Sequence, residues 1–395
     1  MRKSNMKKII TLIVVVATLF INVVGCAKST DTDEGTTTAD VTTAEDGTAV
    51  VADEASSDTI QVGIVLPTKD EPRWIQDQTR FSTILDEAGF TYQILFSQGS
   101  SATEKTNVET LITKGITVLI ICPQDTSAVA STVQLAKDAG VTVIGYDRLI
   151  TGTDALDYNV GFNSESVGVA QGQYLIDNAT GTGNPLYLYA GALSDENAFV
   201  FFKGAWSVLQ PKIADGTFVI KNSEEAIKVQ DTLDLTREEM ASILGQITTD
   251  WDFNVAKSKA EAHLTTASAE DKGDVYVLAP NDGTARVIAD VFAIDQDITS
   301  YVITGQDAEK ASIQYIIDGI QSMTVLKDTR MLTDAAVTMA KQIINGEEVV
   351  VNSEYDNGAK LVPMYQLPVL SVTKDSVKEY IFDSGYYEAS EFTGL

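Results

Sequence analysis

From Ile60 onward the chain repeats one pattern, in which a short apolar run rich in β-branched residues gives way to a polar break and then to a stretch of helical length. The runs predict strands at 60–66, 90–96, 117–122, 141–146, 158–162, 185–190, 217–221, 274–279, 300–305, 322–326 and 366–371. Between them the apolar spacing predicts helices near 73–88, 101–114, 126–139, 164–179, 196–210, 236–248, 254–268, 283–294, 308–318 and 330–346. Strands and helices that alternate imply parallel sheets with right-handed crossovers and helices on both faces. The alternation restarts after Asn163, and short runs near 327 and 365 can return the chain between two halves. The expected fold is therefore α/β, with two doubly wound parallel-sheet lobes joined by a multi-strand hinge. Residues 60–162 plus about 328–365 form the N-terminal lobe, and 163–327 plus about 366–395 the C-terminal lobe.

Five of these runs end in polar residues suited to gripping a small ligand. Ile60 to Leu66 is followed by Arg73-Trp74, and Val141 to Tyr146 runs into Asp147-Arg148. Tyr187-Leu188-Tyr189 precedes Asp195 and Asn197, Val275 to Leu278 precedes Asn281-Asp282, and Val302 to Gly305 precedes Asp307. Ligands of open α/β sheets bind outside the carboxyl ends of the strands, so these residues are expected to converge. With the restart at Asn163 they divide into facing sets: Arg73, Asp147 and Arg148 on one lobe, and Asp195, Asn197, Trp251, Asn281 and Asp307 on the other. Hinged lobes of this kind close around a ligand.

Length and charge narrow the picture. At 395 residues with 44% hydrophobic content the chain can bury more than one α/β core. Lys and Arg number 28 against 56 Asp and Glu, a formal charge of −28, and no basic stripe is present. Such a chain repels phosphate backbones, which argues against a nucleic-acid partner.

The first residues read as an address. Arg2, Lys3, Lys7 and Lys8 precede the apolar run Ile9 to Ile21, too short for a comfortable membrane span and suited to a secretory signal. Val23-Val24-Gly25-Cys26 resembles the bacterial lipoprotein lipobox, so residues 1–26 are expected to be a lipoprotein signal peptide, with Cys26 lipidated. Residues 27–59 are rich in Thr, Ala, Asp and Glu without apolar period, and read as a disordered acidic tether. The expected location is the extracellular face of the cell membrane, held by the lipid anchor. Cys122, inside the apolar run Val118 to Cys122, reads as a small hydrophobe without a disulfide partner.

Nothing in the chain reads as a catalytic constellation. The single His263 lacks a second His for a metal and a Ser or Cys motif for nucleophilic work. Gly181-Thr182-Gly183 precedes a strand instead of linking a strand to a helix, so it fails as a phosphate loop. Asp31 to Gly35 lacks the closing Glu of a calcium loop. No metal or cofactor is expected, and no positioned pair of carboxylates can be read for a carbohydrate-active enzyme.

The globular part, about 60 to 375, resembles the sugar-binding proteins of bacterial ABC importers with the type I periplasmic-binding fold, above all the xylose-binding and multiple-monosaccharide-binding receptors. The resemblance rests on ordered segments: Leu66-Pro67-Thr68-Lys69 with Pro72-Arg73-Trp74, Tyr146-Asp147-Arg148-Leu149-Ile150, Gly161-Phe162-Asn163 and Ser194-Asp195-Glu196-Asn197-Ala198-Phe199. It continues in Ser207-Val208-Leu209-Gln210-Pro211, Pro280-Asn281-Asp282-Gly283, Gly305-Gln306-Asp307-Ala308-Glu309 and Thr324-Val325-Leu326-Lys327-Asp328-Thr329-Arg330. It implies that Arg73, Asp147, Arg148, Asp195, Asn197, Asn281, Asp307 and Lys327 line the rim of a monosaccharide site, and that Trp74 and Trp251 sandwich the ring. Lys69 is a further candidate. The chemistry fits: aromatic faces match the C–H faces of a pyranose, and fixed charged groups match its hydroxyls.

Each residue also has a bland reading. Asp147-Arg148 reads as a surface ion pair, Trp74 as core, Asp195 and Asn197 as a helix cap, and one of Asn281 and Asp282 as a cap beside a binding partner. By the resemblance, the partners are a monosaccharide and the subunits of an ABC permease, and the chain acts as a monomer. A sugar-sensing receptor for a chemoreceptor or sensor kinase would show the same fold and pocket.

Overall fold

The computed structural model describes residues 59–395; the signal peptide expected at 1–26 and the tether expected at 27–59, except its last residue, lie outside the described residues. The first half alternates β1 (Val62–Leu66), α1 (Pro72–Ala88), β2 (Tyr92–Phe96), α2 (Ser101–Thr113), β3 (Val118–Ile121), α3 (Ala130–Asp138), β4 (Thr142–Tyr146) and β5 (Tyr158–Phe162). The second half continues with α4 (Ser164–Asn178), β6 (Asn184–Leu188), α5 (Glu196–Ala214), β7 (Phe218–Ile220), α6 (Glu224–Lys228), α7 (Arg237–Ile247), α8 (Phe253–Thr266) and β8 (Gly273–Leu278). It ends with α9 (Asp282–Ile294), β9 (Ile298–Ile303), α10 (Lys310–Asp318), β10 (Met323–Leu326), α11 (Thr329–Asn345), β11 (Ser353–Asp356), β12 (Leu361–Leu367) and β13 (Leu370–Thr373).

Two sheets organise these elements. The first has seven strands in the order β11-β12-β5-β4-β3-β1-β2, the second four in the order β7-β6-β8-β9. Strand pairing is parallel in both, except at the β11/β12 edge. Because side chains alternate along a strand, Val62, Ile64 and Leu66 pack with Phe81 and Leu85 of α1 and with Leu332 and Ala336 of α11 on one face. Val65, Leu119 and Val143 point to the other face and meet Val108 and Leu111 of α2 and Val133 of α3. In the second sheet Leu186 and Leu188 pack on Phe199, Phe202 and Trp206 of α5, while Tyr187, Val275 and Val277 pack on Ala260 of α8 and Ile288 and Phe292 of α9. Burial on both faces is what unbroken apolar runs such as Val62–Leu66 encode. Each buried Val, Ile or Leu contributes roughly 1.5–3 kcal/mol.

The chain passes between the sheets three times. It leaves the first sheet after β5, returns after β10 into α11, which packs on α1, and leaves again between β12 and β13. Here the sequence reading needs correction: the single strand expected at 366–371 is two strands interrupted by Pro368 and Val369. Proline has no N–H for a ladder, and the break lets β12 pair with β5 while β13 pairs antiparallel with β10. The β11/β12 hairpin, the short α6 and the closing segment 374–395 were not anticipated. Helix α3 begins at Ala130, four residues later than expected.

One helix pair fixes a wall of the interlobe region. At Gly168 a Cβ would run into the carbonyl of Phe201, and at Gly204 into that of Glu165, so α4 and α5 pack backbone against backbone. That close approach sets the position of α5, whose amino-terminal turns carry Asn197 and Phe201.

Candidate functional site

All ten residues singled out from the sequence line one cavity. Arg73 and Trp74 come from the first turn of α1, Asp147 and Arg148 from the loop after β4, and Asp195 and Asn197 from the start of α5. Trp251 comes from the loop between α7 and α8, Asn281 from the cap of α9, Asp307 from the loop after β9, and Lys327 from the end of β10. Lys69 is not brought in; it is exposed, with its ammonium over the Phe96 ring.

The loops that present these groups are strained. Six non-glycine residues among those described have positive φ, and five are at the cavity or next to it: Asp147, Asp250, Trp251, Asp307 and Ala308. Residues of this kind adopt such angles at a cost that the surrounding structure must offset, and they concentrate at functional sites. The indole of Trp251 lies against Gly191, where a Cβ would overlap the ring.

The charged groups form one buried network across the two lobes. Arg73 donates from Nη2 to Asp147 Oδ2 at 2.7 Å, from Nη1 to Asp307 Oδ1 at 3.1 Å and from Nε to Asp77 Oδ2 at 3.3 Å. Lys327 Nζ stands 2.8 Å from Asp307 Oδ1 and 3.9 Å from Asp147 Oδ2. Arg148 pairs through Nε with Asp195 Oδ2 at 3.0 Å and donates from Nη1 to the Pro123 carbonyl at 3.0 Å. Asn197 Nδ2 donates to the Asp147 carbonyl at 3.0 Å, and the Thr126 N–H to the Ser194 carbonyl at 2.9 Å, so backbone contacts also span the lobes.

Three cations here face five carboxyl groups, those of Glu71, Asp77, Asp147, Asp195 and Asp307. Burial works against the charge of Asp147, but Lys327 and Arg73 outweigh it and hold this carboxyl down at about 2. For Asp77 and Asp195 burial prevails and raises the pKa, although Arg73 and Arg148 respectively pull the other way. Glu71, whose nearest cation is Arg148 Nη2 at 3.8 Å, is pushed up to about 7 by burial.

Several of the bland readings hold alongside the cavity position. Asp195 both caps α5, accepting from the Asn197 N–H at 2.9 Å, and pairs with Arg148. Asn281 caps α9 through Oδ1, accepting from the Thr284 N–H, while Asp282 is buried behind it and braces Gln321 and the Glu309 N–H. Trp74 is both core and cavity wall. Its ring carries the guanidinium carbons of Arg73 at 4.9 Å and Arg148 at 5.5 Å. Sequence reasoning missed three lining residues, Glu71, Phe201 and Gln306. Phe201 was within reach, since it lies four residues after Asn197 on the same helix face. Glu71 and Gln306 adjoin the named motifs but carried no signal of their own.

The family model described as the periplasmic binding protein domain matches residues 62–348. The chain belongs to this family. It is 33% identical to a multiple sugar-binding periplasmic protein of Azospirillum brasilense over 84% of this chain and 90% of that one. It is 32% identical to a multiple sugar-binding periplasmic receptor of Rhizobium radiobacter, over 86% and 94% respectively. Among solved structures, a carbohydrate transporter solute-binding protein of Chloroflexus aurantiacus in complex with D-glucose is 64% identical, with a TM-score of 0.84 over 85% of this chain and 99% of that one. An ABC transporter solute-binding protein of Clostridium phytofermentans with bound β-D-glucose is 30% identical, with a TM-score of 0.74 over 84% and 99%. Family and fold agree with the two-sheet α/β architecture.

Proposed function

We propose that this protein is an extracytoplasmic receptor that holds a monosaccharide of the glucose, xylose and galactose class between its lobes and delivers it, unaltered, to an ABC permease. The observation that carries the reading is the cavity itself, where fixed guanidinium, ammonium, carboxylate and carboxamide groups meet beside Trp74, Phe201 and Trp251. Charged partners give sugar hydroxyls short, strong hydrogen bonds, and the aromatic rings suit the C–H faces. D-glucose is the first candidate, given the likeness to the glucose-bound Chloroflexus protein. The network is arranged for holding. Asp147 and Asp307 are engaged by Arg73 and Lys327, which fixes their oxygens as acceptors and leaves neither disposed as a nucleophile.

Closure supplies the signal to the permease. Arg73 with Asp307, Arg148 with Asp195 and Thr126 with Ser194 join the lobes only when they are together, and a sugar that touches both sides adds to these contacts. In this reading the protein acts as a monomer tethered by a lipid on Cys26. Titration of the mature domain with D-glucose, D-galactose, D-xylose and L-arabinose, followed by tryptophan fluorescence and calorimetry, tests it. Saturable binding of at least one sugar without turnover is the expected result, and no binding of any sugar, or its slow consumption, would overturn the reading.

A further inference from the structure

Among the described residues that line the cavity, Gln306 carries the one buried acceptor oxygen without a hydrogen-bond partner; the indole N–H groups of Trp74 and Trp251 are the corresponding donors. Gln306 is 2% exposed. The carboxylates beside it are already engaged, Asp307 by Arg73 and Lys327, and Asp147 by Arg73. Its own backbone is pinned on both sides. The Gln306 carbonyl accepts from the Asp282 N–H at 3.0 Å, the Val325 N–H donates to the Gly305 carbonyl at 3.0 Å, and the Asp307 N–H donates to the Val325 carbonyl at 2.9 Å. Gly305 leaves no room for a Cβ beside Asp282 and Gln321, and Asp307 and Ala308 follow at positive φ. The backbone of this junction is held in place, and it sets Gln306 in the cavity lining. An unpaired buried carbonyl destabilises the protein that contains it, and a strained segment that keeps one in place indicates a role outside folding.

We propose that Gln306 is a specificity-determining contact, whose carboxamide oxygen accepts a hydrogen bond from one hydroxyl of the bound sugar; this rests on the sugar-binding reading of the cavity. A hydroxyl is both donor and acceptor, and a carboxamide offers the matching pair on one rigid plane. The neighbouring carboxylates accept only, and the carboxamide oxygens of Asn197 and Asn281 are already taken by Ser164 and Thr284, so Gln306 is the lining carboxamide whose oxygen is left for a hydroxyl. Its loss therefore has opposite effects on the two states: the sugar-free protein sheds an unsatisfied group, while the complex sheds a hydrogen bond.

The test uses Gln306→Met, close to Gln in shape but with no amide, and Gln306→Leu as a second variant. Calorimetric titration with D-glucose, D-galactose and D-xylose is paired with thermal melts of the sugar-free protein. For the sugar that wild type binds tightest, affinity is expected to fall about tenfold or more in both variants. The sugar-free melting temperature should stay or rise. In a series of monodeoxy analogues, removal of one hydroxyl should weaken wild type and leave the Met variant unaffected. Wild-type affinity in both variants would overturn the proposal. A fall in affinity that tracks a lowered melting temperature, with no hydroxyl singled out, would mark a packing role and overturn it equally. Failure of wild type to bind any of the three sugars would instead strike the sugar-binding reading on which it rests.

Discussion

Trp251 and Gly191 share one space: the indole lies where the Cβ of any other residue at 191 would be. The ring reaches the cavity because the backbone turns through positive φ at both Asp250 and Trp251, and the Asp250 N–H is held by Thr248 Oγ1 at 3.0 Å. Gly191→Ala should displace the indole, reduce sugar affinity by about tenfold or more, and cost about 1–3 kcal/mol of stability through overpacking. Fluorescence titration checks the first and urea unfolding the second; an unchanged affinity would mean that the ring has no part in binding.

Asp147 accepts from Arg73 and faces Lys327, and all three are buried. Asp147→Ala should abolish sugar binding to beyond about a hundredfold loss and also destabilise the sugar-free protein by about 3–5 kcal/mol, because it strands buried cations. Asp147→Asn keeps the shape and should separate the two effects. Binding constants and unfolding midpoints for the pair of variants decide the matter.

Glu71 and Glu104 are both pushed up by burial to about 7, from 4.5, although Arg148 pulls against the shift in each. A carboxyl whose folded value is raised contributes stability that is full below about 4.5 and lost as pH rises through about 7. Each can account for up to about 3 kcal/mol over that window. His263, lowered to about 4 by burial, works in the opposite sense, adding stability as pH rises from about 4 to 6.5. Glu71→Gln and Glu104→Gln leave His263 and the other raised carboxyls in place. Each variant should therefore show a smaller loss of stability than wild type between pH 4.5 and 7, measured by chemical unfolding in the absence of sugar. Parallel pH profiles for wild type and both variants would contradict the assignment.

The closing segment ties the lobes together on the outside. Val377, Ile381, Tyr386 and Phe392 are buried with Ile313, Ile316 and Ile317, while the Tyr386 ring lies under the guanidiniums of Arg80 and Arg330, each 5.0 Å away, and Tyr387 accepts from Gln76 at 2.9 Å. Tyr386→Ala should lower stability by about 3–5 kcal/mol and Tyr387→Phe by about 1 kcal/mol. Thermal melts of both variants test this. Indifference to Tyr386→Ala would show that the segment is only draped over the surface.

Much of this was legible in the chain. Val62–Leu66, Val118–Ile121 and Val275–Leu278 are apolar along their length, a pattern that demands burial on both faces, and the helical stretches between them leave a parallel sheet as the natural arrangement. The polar residues following such strands could be gathered at one site because strand direction fixes which end of a parallel sheet they occupy. The edge hairpin β11/β12 and the break at Pro368 were not legible, since each depends on which neighbour a short strand finds. Cap and ligand roles were also indistinguishable in sequence, and at Asp195 the folded chain uses one oxygen for each.

What the sequence alone determined, then, is the order of the elements, the two-part architecture and the polar residues expected after the strands, because these follow from local periodicity and direction; Lys327 and the stacking role of Trp251 came from the family resemblance. What only the tertiary structure decided is which charges meet. Arg73 reaches Asp307, 234 positions away, and Gln306 is left with an unpaired buried oxygen, because both outcomes depend on which groups the folded chain brings together. Pairing and burial are properties of that arrangement, and they convert a row of polar residues into a site.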